Sequence, residues 1–130
     1  MKSLSIIIPC RNEEKFIGEC LDSLIAQDYP KDAMEILVVD GGSEDNTRNI
    51  IQNKGEQFSF IKLLDNPKKF TPFALNIGIR EAKGEIIARA DAHATYGKDY
   101  FARCVTHLSS SGADVVGGVA RAAPAKNTAM

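Results

Sequence analysis

The chain has 130 residues, of which 44% are hydrophobic and 25% charged, values typical of one globular domain. Its net charge of −1 gives no sign of a nucleic-acid-binding surface. No apolar run approaches the ~20 residues that a membrane-spanning helix needs, and the N-terminal residues do not resemble a signal peptide. Three cysteines, without zinc-binding spacing, predict free thiols that serve as packing residues in a reducing cytoplasm: Cys10, Cys20 and Cys104.

The predicted elements alternate between strand and helix along the chain. Short apolar runs, most of them rich in β-branched residues, predict five strands, at residues 4–8, 35–39, 60–64, 85–90 and 113–118. Pro9 is expected to end the first of them. Strands that alternate with helices through short connections predict an α/β fold, with a mostly parallel sheet flanked by helices on both faces.

Capping residues indicate where the helices begin and end. The four predicted helices start after Asn12, after the glycine-rich segment 40–46, at Thr71 and at about residue 98. Asn12 is a good N-cap, with Glu13 and Glu14 in the first turn. The second helix should run to about Asn53, Gly84 should close the third, and the fourth should end near residue 110.

Parallel sheets bind ligands outside the carboxyl ends of their strands. The predicted order of elements brings four loops to that edge: Pro9–Glu13, Asp40–Ser43, Asp65–Lys69 and Asp91–His93. We therefore expect the chemistry of the protein on this one side of the sheet.

Asp91 and His93 follow a buried strand at this edge. In extended backbone, residues two apart point the same way, so both side chains can converge on one cation. A carboxylate with an imidazole suits Mn²⁺ or another borderline divalent ion better than Ca²⁺. The alternative is a solvated loop without a ligand.

Asp40, at the end of the second strand, also has two interpretations. In one it belongs to a tight turn in which Ser43 caps the next helix. In the other its carboxylate accepts hydrogen bonds from a base or ribose, and the glycines beside it allow close approach. For Asn12 and Glu13, capping is a sufficient explanation, and Arg11 either meets a phosphate or is solvated.

Other residues near this edge are suited to a diphosphate. Lys68, Lys69 and Arg80 supply positive charge, and Asn76, unfavourable inside a helix, is predicted to face the loop edge. The chain has no G-x-G-x-x-G after its first strand and no G-x-x-x-x-G-K-[ST] anywhere. Without a glycine loop, a diphosphate would need a cation, which favours the metal site.

Three segments together resemble a known family: SIIIPCRNEEKFIGECLDSLIAQDYP (5–30), EILVVDGGSEDNT (35–47) and ALNIGIREAKGEIIARADAHA (74–94). They are similar to the nucleotide-binding half of family-2 inverting glycosyltransferases, which have the Rossmann-like GT-A fold. The variant RADAHA most resembles the branch typified by succinoglycan-biosynthesis transferases, which build bacterial exopolysaccharide.

The resemblance implies a role for several residues. Asp40 matches an acid that contacts the uracil or ribose, and Asp91 and His93 match the ends of the D-x-D motif, which holds the metal and the diphosphate. With the residues chosen from the pattern, the predicted nucleotide-binding set is Pro9, Arg11, Asn12, Glu13, Asp40, Ser43, Lys69, Asn76 and Asp91. The predicted metal ligands are Asp91 and His93, and the predicted ion is Mn²⁺ or Mg²⁺.

The sequence departs from the family pattern at two positions. Gly41 stands where many members have a second acid, at the position that usually contacts the base. His93 replaces the second acid of D-x-D, which removes one negative charge and makes metal affinity more dependent on pH.

The resemblance implies a donor domain that binds a nucleotide-diphospho-sugar, with a UDP-sugar expected. The sugar would pass to a polysaccharide or lipid-linked acceptor. The family's catalytic base is an aspartate in the acceptor-binding half, so residues 1–130 are expected to be a truncated donor domain without a catalytic residue. The expected location is cytoplasmic, at the inner membrane face for the full-length protein, with no nucleic-acid partner.

Two other classes of protein fit parts of the pattern. A receiver-like signalling domain is also α/β with acids at strand ends, and there Asp40 would accept a phosphoryl group. A nucleotide-binding module without catalysis would use the same edge of the sheet.

Overall fold

The computed structural model describes residues 2–112, 115–116 and 119–121. Within them lie six strands: β1 (Leu4–Cys10), β2 (Met34–Asp40), β3 (Ile61–Asp65), β4 (Ile86–Arg89), β5 (Val115–Val116) and β6 (Val119–Arg121). They form one sheet in the spatial order β3-β2-β1-β4-β6-β5. The first four strands are parallel, and β6 runs antiparallel to both β4 and β5. The predicted mostly parallel sheet is confirmed.

Helices cover both faces of the sheet, as predicted. They are α1 (Ile17–Ile25), α2 (Thr47–Gln57), α3 (Thr71–Glu81) and α4 (Tyr100–Ser111), with a short 3₁₀ turn at Lys31–Ala33. Alternate residues of a strand point to opposite faces. Ile7 and Leu37 therefore pack in the cluster formed with α3, whereas Ile6 and Ile8 pack in the cluster that α1, α2 and α4 share.

The strand order reverses its direction of growth at β1. From β1 the chain adds β2 and then β3 on one side, and α3 then crosses to place β4 on the other side of β1. The loops that leave β1 and β4 border a single crevice at such a switch point. The registers bring Cys10, Asp40 and Asp65 to the same level, so the four predicted loops lie at one edge of the sheet.

Pro9 does not end β1, which continues to Cys10. The carbonyl of Ile7 accepts from the amide of Ala90 on the β4 side (2.9 Å), whereas the carbonyl of Cys10 accepts from Gly41 on the β2 side (2.9 Å). Pro9 therefore directs its ring nitrogen toward β4, just beyond the last residue of that strand. A missing N–H at this position removes no hydrogen bond to β2.

Several predicted helix boundaries were wrong. α1 begins at Ile17 and not directly after Asn12, α2 extends beyond Asn53, and α3 ends at Glu81, before Gly84. Gly84 meets a different requirement, because a Cβ there would lie 2.7 Å from the backbone nitrogen of Ser5. The fourth helix is shifted by one or two residues. Of the predicted strand at 113–118, residues 115–116 form β5, and the other four lie outside the described residues.

Two helical glycines provide a test of the packing between α3 and the sheet. A Cβ on Gly78 would lie 2.5 Å from Cγ2 of Ile7, whereas a Cβ on Gly18 would make an ordinary contact of 3.8 Å with Ile50. Gly78→Ala should therefore lower the free energy of unfolding by about 1–3 kcal/mol through overpacking. Gly18→Ala should raise it by about 0.4–1 kcal/mol. Urea denaturation measures both, and a stabilising Gly78→Ala would contradict the close approach.

Candidate functional site

Asn12 joins the loop after β1 to the loop after β2. Its backbone N–H donates to Oγ of Ser43 (2.8 Å), and its Oδ1 accepts from the N–H of Glu44 (2.8 Å). Its φ of 53° lies in the left-handed region, which asparagine tolerates better than most residues. The prediction of Asn12 as a helix N-cap was therefore wrong, because its side chain bonds to another loop and not to the first turn of α1.

The turn after β2 does not use Ser43 as a helix cap either. Oδ1 of Asp45 accepts from the N–H of Thr47 (3.0 Å), the first residue of α2. Oγ1 of Thr47 in turn accepts from the N–H of Glu13 (2.8 Å). The start of α2 is thus bonded to the loop that carries Glu13.

The carboxylate of Asp40 is completely buried and surrounded by donors. It accepts from the N–H groups of Gly42 (3.1 Å) and Ser43 (3.0 Å), from the Ser43 hydroxyl, and from Nη1 of Arg48 (3.0 Å). The Cys10 thiol also points at it. Burial alone would raise the pKa of Asp40, but the bonds from Ser43 and Arg48 outweigh burial and hold the pKa below its ordinary value.

These bonds change the interpretation of Asp40. The amides of its own turn bond to its carboxylate, in keeping with the tight-turn interpretation, and neither oxygen is exposed to a base or ribose. A direct contact with nucleotide would require it to give up bonds to its own turn. The receiver-like interpretation fails for the same reason, since a buried, fully bonded carboxylate cannot accept a phosphoryl group.

The side chains of Asp91 and His93 lie in contact with each other, through a turn and not through the extended backbone that was predicted. β4 ends at Arg89, and the N–H of Ala94 closes a turn on the carbonyl of Asp91 (3.0 Å). Oδ1 of Asp91 accepts from the backbone N–H of His93 (2.9 Å) and lies 3.3 Å from its Nδ1. The turn arises because an aspartate side chain readily bonds the backbone two residues on. The hydrogen bond from this N–H lowers the pKa of Asp91. Burial raises it by less, so the pKa of Asp91 lies below its ordinary value.

Glu13 completes a cluster with Asp91 and His93. Its Oε2 lies 3.0 Å from Nδ1 of His93, and only 15% of its side chain is exposed, against 68% for Asp91. Burial raises the pKa of Glu13; His93 lowers it, and the Asp91 carboxylate raises it further. The ring of Phe16 lies 5.0 Å from the imidazole of His93. The crevice between β1 and β4 therefore holds an imidazole that contacts two carboxylates through the same nitrogen.

Helix α1 fixes the loop that carries Asp91. The Cys20 thiol donates to the carbonyl of Asp91 (3.4 Å), and the N–H of Asp91 donates to the Tyr96 hydroxyl (2.8 Å). The N–H of Tyr96 donates to Ser23, and its carbonyl accepts from the buried amide of Gln27. Sequence reasoning missed these supporting residues, because their role depends on long-range contacts that no local pattern records.

Several predicted nucleotide ligands line a cleft of about 210 Å³ beside the cluster. The lining residues are Pro9, Cys10, Arg11, Glu13, Asn66, Lys69, Thr71 and Ala74. Lys69 has a φ of 68°, and its backbone approaches Gly41 so closely that a Cβ there would lie 3.0 Å from the Lys69 carbonyl oxygen. The glycine that replaces the family's acid thus allows this loop to pack against the end of β2.

Asn76 does not line this cleft. It lines a neighbouring one of about 220 Å³ with Lys68 and Arg80, on the α3 side. The ammonium of Lys68 lies over the ring of Phe73, 4.7 Å from its centre. The structure therefore separates the predicted positive charges into two groups, with Lys69 in the first cleft and Lys68 and Arg80 in the second.

The donor set fits a divalent cation only in part. Among the described residues, no group of three or more His, Cys, Asp or Glu side chains is arranged to hold a metal ion by itself. Asp91 and His93 supply one carboxylate and one imidazole, which suit Mn²⁺ or Mg²⁺ when phosphate oxygens and water complete the shell.

The three cysteines are free and buried, as predicted, and burial raises the pKa of Cys20 to about 12.

The family model for glycosyl transferase family 2 matches residues 5–130. The chain belongs to this family. A curated relative from Methanococcus voltae, a dolichyl N-acetyl-alpha-D-glucosaminyl phosphate 3-beta-D-2,3-diacetamido-2,3-dideoxy-beta-D-glucuronosyltransferase, is 42% identical over 102 residues, which are 77% of this chain and 32% of the relative. Succinoglycan biosynthesis protein ExoA of Rhizobium meliloti is 36% identical over 113 residues, 85% of this chain and 34% of the relative. The succinoglycan protein is thus one of several homologues, and the branch is not fixed.

Solved structures give the same family-2 architecture. The mannosyltransferase PcManGT from Pyrobaculum calidifontis, in complex with GDP-Man and Mn²⁺, has a TM-score of 0.78 and 33% identity, covering 83% of this chain and 32% of its own. Residues 1–349 of S. aureus TarS, in complex with UDP-GlcNAc, have a TM-score of 0.76 and 28% identity, covering 86% and 32%. This family-2 chain spans about a third of the length of these relatives.

Asp40 and Asp65 provide a matched test, because both contact Arg48 (3.0 and 2.7 Å) but only Asp40 is buried. Asp40→Asn turns an amide group toward the donors of its own turn, and we expect a loss of about 1–3 kcal/mol in the free energy of unfolding at pH 7. Asp65→Asn, at a side chain 74% exposed, should cost about 0–1 kcal/mol. Equal losses in denaturant titrations would contradict the special role of Asp40.

The free energy of unfolding of Asp40→Asn, compared with wild type, should also depend on pH. Folding lowers the pKa of Asp40 below the ordinary value of 3.8, so its ionised form stabilises the fold fully above that value. This contribution is lost as the pH falls through the lower pKa of the folded state. The difference in unfolding free energy between wild type and Asp40→Asn should therefore stay constant above about pH 5 and shrink below about pH 4. Growth of the difference on acidification would contradict the assignment.

Proposed function

We propose that residues 1–130 are the donor-binding part of an inverting glycosyltransferase that binds a nucleotide-diphospho-sugar, with a UDP-sugar as the preferred donor. The observation that carries this proposal is that His93 contacts both Glu13 and Asp91 at the crevice between β1 and β4. Parallel sheets bind ligands at this kind of crevice. Membership of family 2 and the UDP-GlcNAc bound to the similar TarS support the assignment.

The nucleoside would lie in the cleft beside the cluster, where Arg11 and Lys69 offer positive charge and Asn66 offers a polar wall. The diphosphate would then extend toward Asp91 and His93. Asp40 would act through the turn that it holds, and not by direct contact. This arrangement keeps Pro9, Arg11 and Lys69 of the predicted nucleotide-binding residues along the cleft and leaves Asn76 outside it.

Asp91 and His93 would together hold a divalent cation, Mn²⁺ or Mg²⁺. Such a cation offsets the diphosphate charge and stabilises the departing nucleoside diphosphate. The chain offers no glycine loop for that charge, and Arg11 and Lys69 lie on the cleft side of the cluster. PcManGT, a structural neighbour, binds Mn²⁺ with GDP-Man, which supports metal dependence here.

The acceptor would be a saccharide or a lipid-linked saccharide, as in exopolysaccharide synthesis. ExoA is named for succinoglycan biosynthesis, and the name of the M. voltae relative includes a dolichyl phosphate. The catalytic base would come from the acceptor-binding half, and the proposed location is the cytoplasm, at the inner face of the membrane. No helix in the described part of the chain has the length and apolar character to cross a membrane.

The proposal predicts that Mn²⁺ strengthens UDP binding through His93. Isothermal titration with UDP should give a higher affinity with Mn²⁺ than with EDTA, because the ion links the diphosphate to Asp91 and His93. His93→Ala should lose most of this gain, whereas His93→Asp should retain metal dependence. A panel of UDP-, GDP- and dTDP-linked sugars under the same conditions identifies the donor.

Two results would contradict this prediction. If Mn²⁺ improves UDP affinity equally in wild type and His93→Ala, His93 is not a metal ligand. If no sugar nucleotide of the panel binds in the presence of Mn²⁺ or of Mg²⁺, the proposed donor site is wrong. Arg103→Ala, near the start of α4, is a suitable control for the loss of one exposed side chain.

A further inference from the structure

The imidazole of His93 has two carboxylates within reach of the same nitrogen. Nδ1 lies 3.0 Å from Oε2 of Glu13 and 3.3 Å from Oδ1 of Asp91. Asp91 already uses that oxygen to accept the backbone N–H of His93 at 2.9 Å. Glu13 is therefore the better placed acceptor for a hydrogen on Nδ1. Its oxygen is closer to Nδ1, and Oδ1 of Asp91 already accepts the backbone N–H of His93.

Glu13 is itself held firmly. Its N–H donates to Oγ1 of Thr47 (2.8 Å), and its carbonyl accepts from the N–H groups of Phe16 (3.0 Å) and Ile17 (2.9 Å). The same turn that presents the Glu13 carboxylate also presents the ring of Phe16, which lies 5.0 Å from the imidazole and is tilted 35° to it. The loop between β1 and α1 thus contacts His93 twice, through the Glu13 carboxylate at Nδ1 and through the ring of Phe16.

We propose that Glu13 is a positioning residue for His93, and neither a nucleotide contact nor a metal ligand. By accepting the hydrogen of Nδ1, Glu13 fixes the tautomer in which Nε2 carries the free lone pair for a cation. Asp91, whose Oδ1 lies on the Nδ1 side at 3.3 Å, would turn its exposed carboxylate to reach the same cation. Among the described residues, no hydrogen bond or ion pair involves Nε2. Histidines that bind metals generally donate their other nitrogen to such an outer carboxylate. This inference rests on the proposed metal-dependent donor binding.

A double-mutant cycle separates this role from the alternatives. Glu13→Ala should lower UDP affinity in the presence of Mn²⁺ by about 10- to 100-fold, the usual effect of losing an outer partner of a metal-binding histidine. Glu13→Gln, whose amide oxygen can still accept, should lose less. UDP affinity in EDTA should stay unchanged in both variants. In the His93→Asp background, Glu13→Ala should cause no loss, because there is no imidazole to orient.

Each alternative gives a different result in the same titrations. A direct nucleotide contact would weaken UDP binding in EDTA as well, and a metal ligand would keep its effect in the His93→Asp background. Either result overturns the proposal. Glu19→Gln, an exposed acid on α1, controls for the loss of one negative charge, and circular dichroism checks the fold of each variant.

A nucleotide-free measurement keeps this inference distinct from the proposed function. Two-bond ¹H–¹⁵N spectra of the neutral His93 ring should identify the Nδ1–H tautomer in wild type, and that population should fall in Glu13→Ala. An Nε2–H tautomer in wild type would overturn the proposal even if Mn²⁺ and UDP bind. Failure of wild type to bind UDP, with the Nδ1–H tautomer present and dependent on Glu13, would instead contradict the donor site alone.

Discussion

The buried carboxylate of Asp40 is the interaction on which the geometry of the site depends. Removing a charged group from water is costly unless hydrogen bonds replace the lost hydration. Here the turn amides, the Ser43 hydroxyl and Arg48 replace it, and despite burial these bonds hold the pKa of Asp40 below its ordinary value. Ser43 then accepts the N–H of Asn12, so the same carboxylate indirectly holds the loop after β1.

That loop determines where the side chains of the crevice lie. Asn12 and Glu13 are both bonded to the segment that opens α2, through Ser43 and Thr47. The loop is therefore fixed from the β2 side while its own side chains reach the β4 side. The reversal of strand order at β1 makes this possible, because β1 is flanked by β2 on one side and β4 on the other.

The sequence was sufficient to predict the four parallel strands and the edge where their loops meet, because continuous apolar runs leave few alternatives to buried parallel strands. It did not predict β6, which runs antiparallel to β4. The helix starts were less predictable. Asn12 and Ser43 are residue types that commonly cap helices, but here each bonds to the loop that carries the other. The bonding of Asp40 was not predictable for a related reason: Arg48, eight residues later, is the second residue of α2, and no local pattern indicates that it reaches back. Side-chain bonds between distant loops decide these details.

The identity of residue 93 and the burial of Glu13 are linked by electrostatics. With an acid at position 93, as in the common family motif, three carboxylates would meet in the crevice, one of them mostly buried. Like charges at such distances disfavour ionisation, and the pKa of Glu13 is already raised by burial and by Asp91. An imidazole removes one of these charges and also offers Glu13 a donor at 3.0 Å. The first loop thus accommodates a histidine at position 93, since Glu13 beside it becomes a hydrogen-bond acceptor in place of a repelling charge.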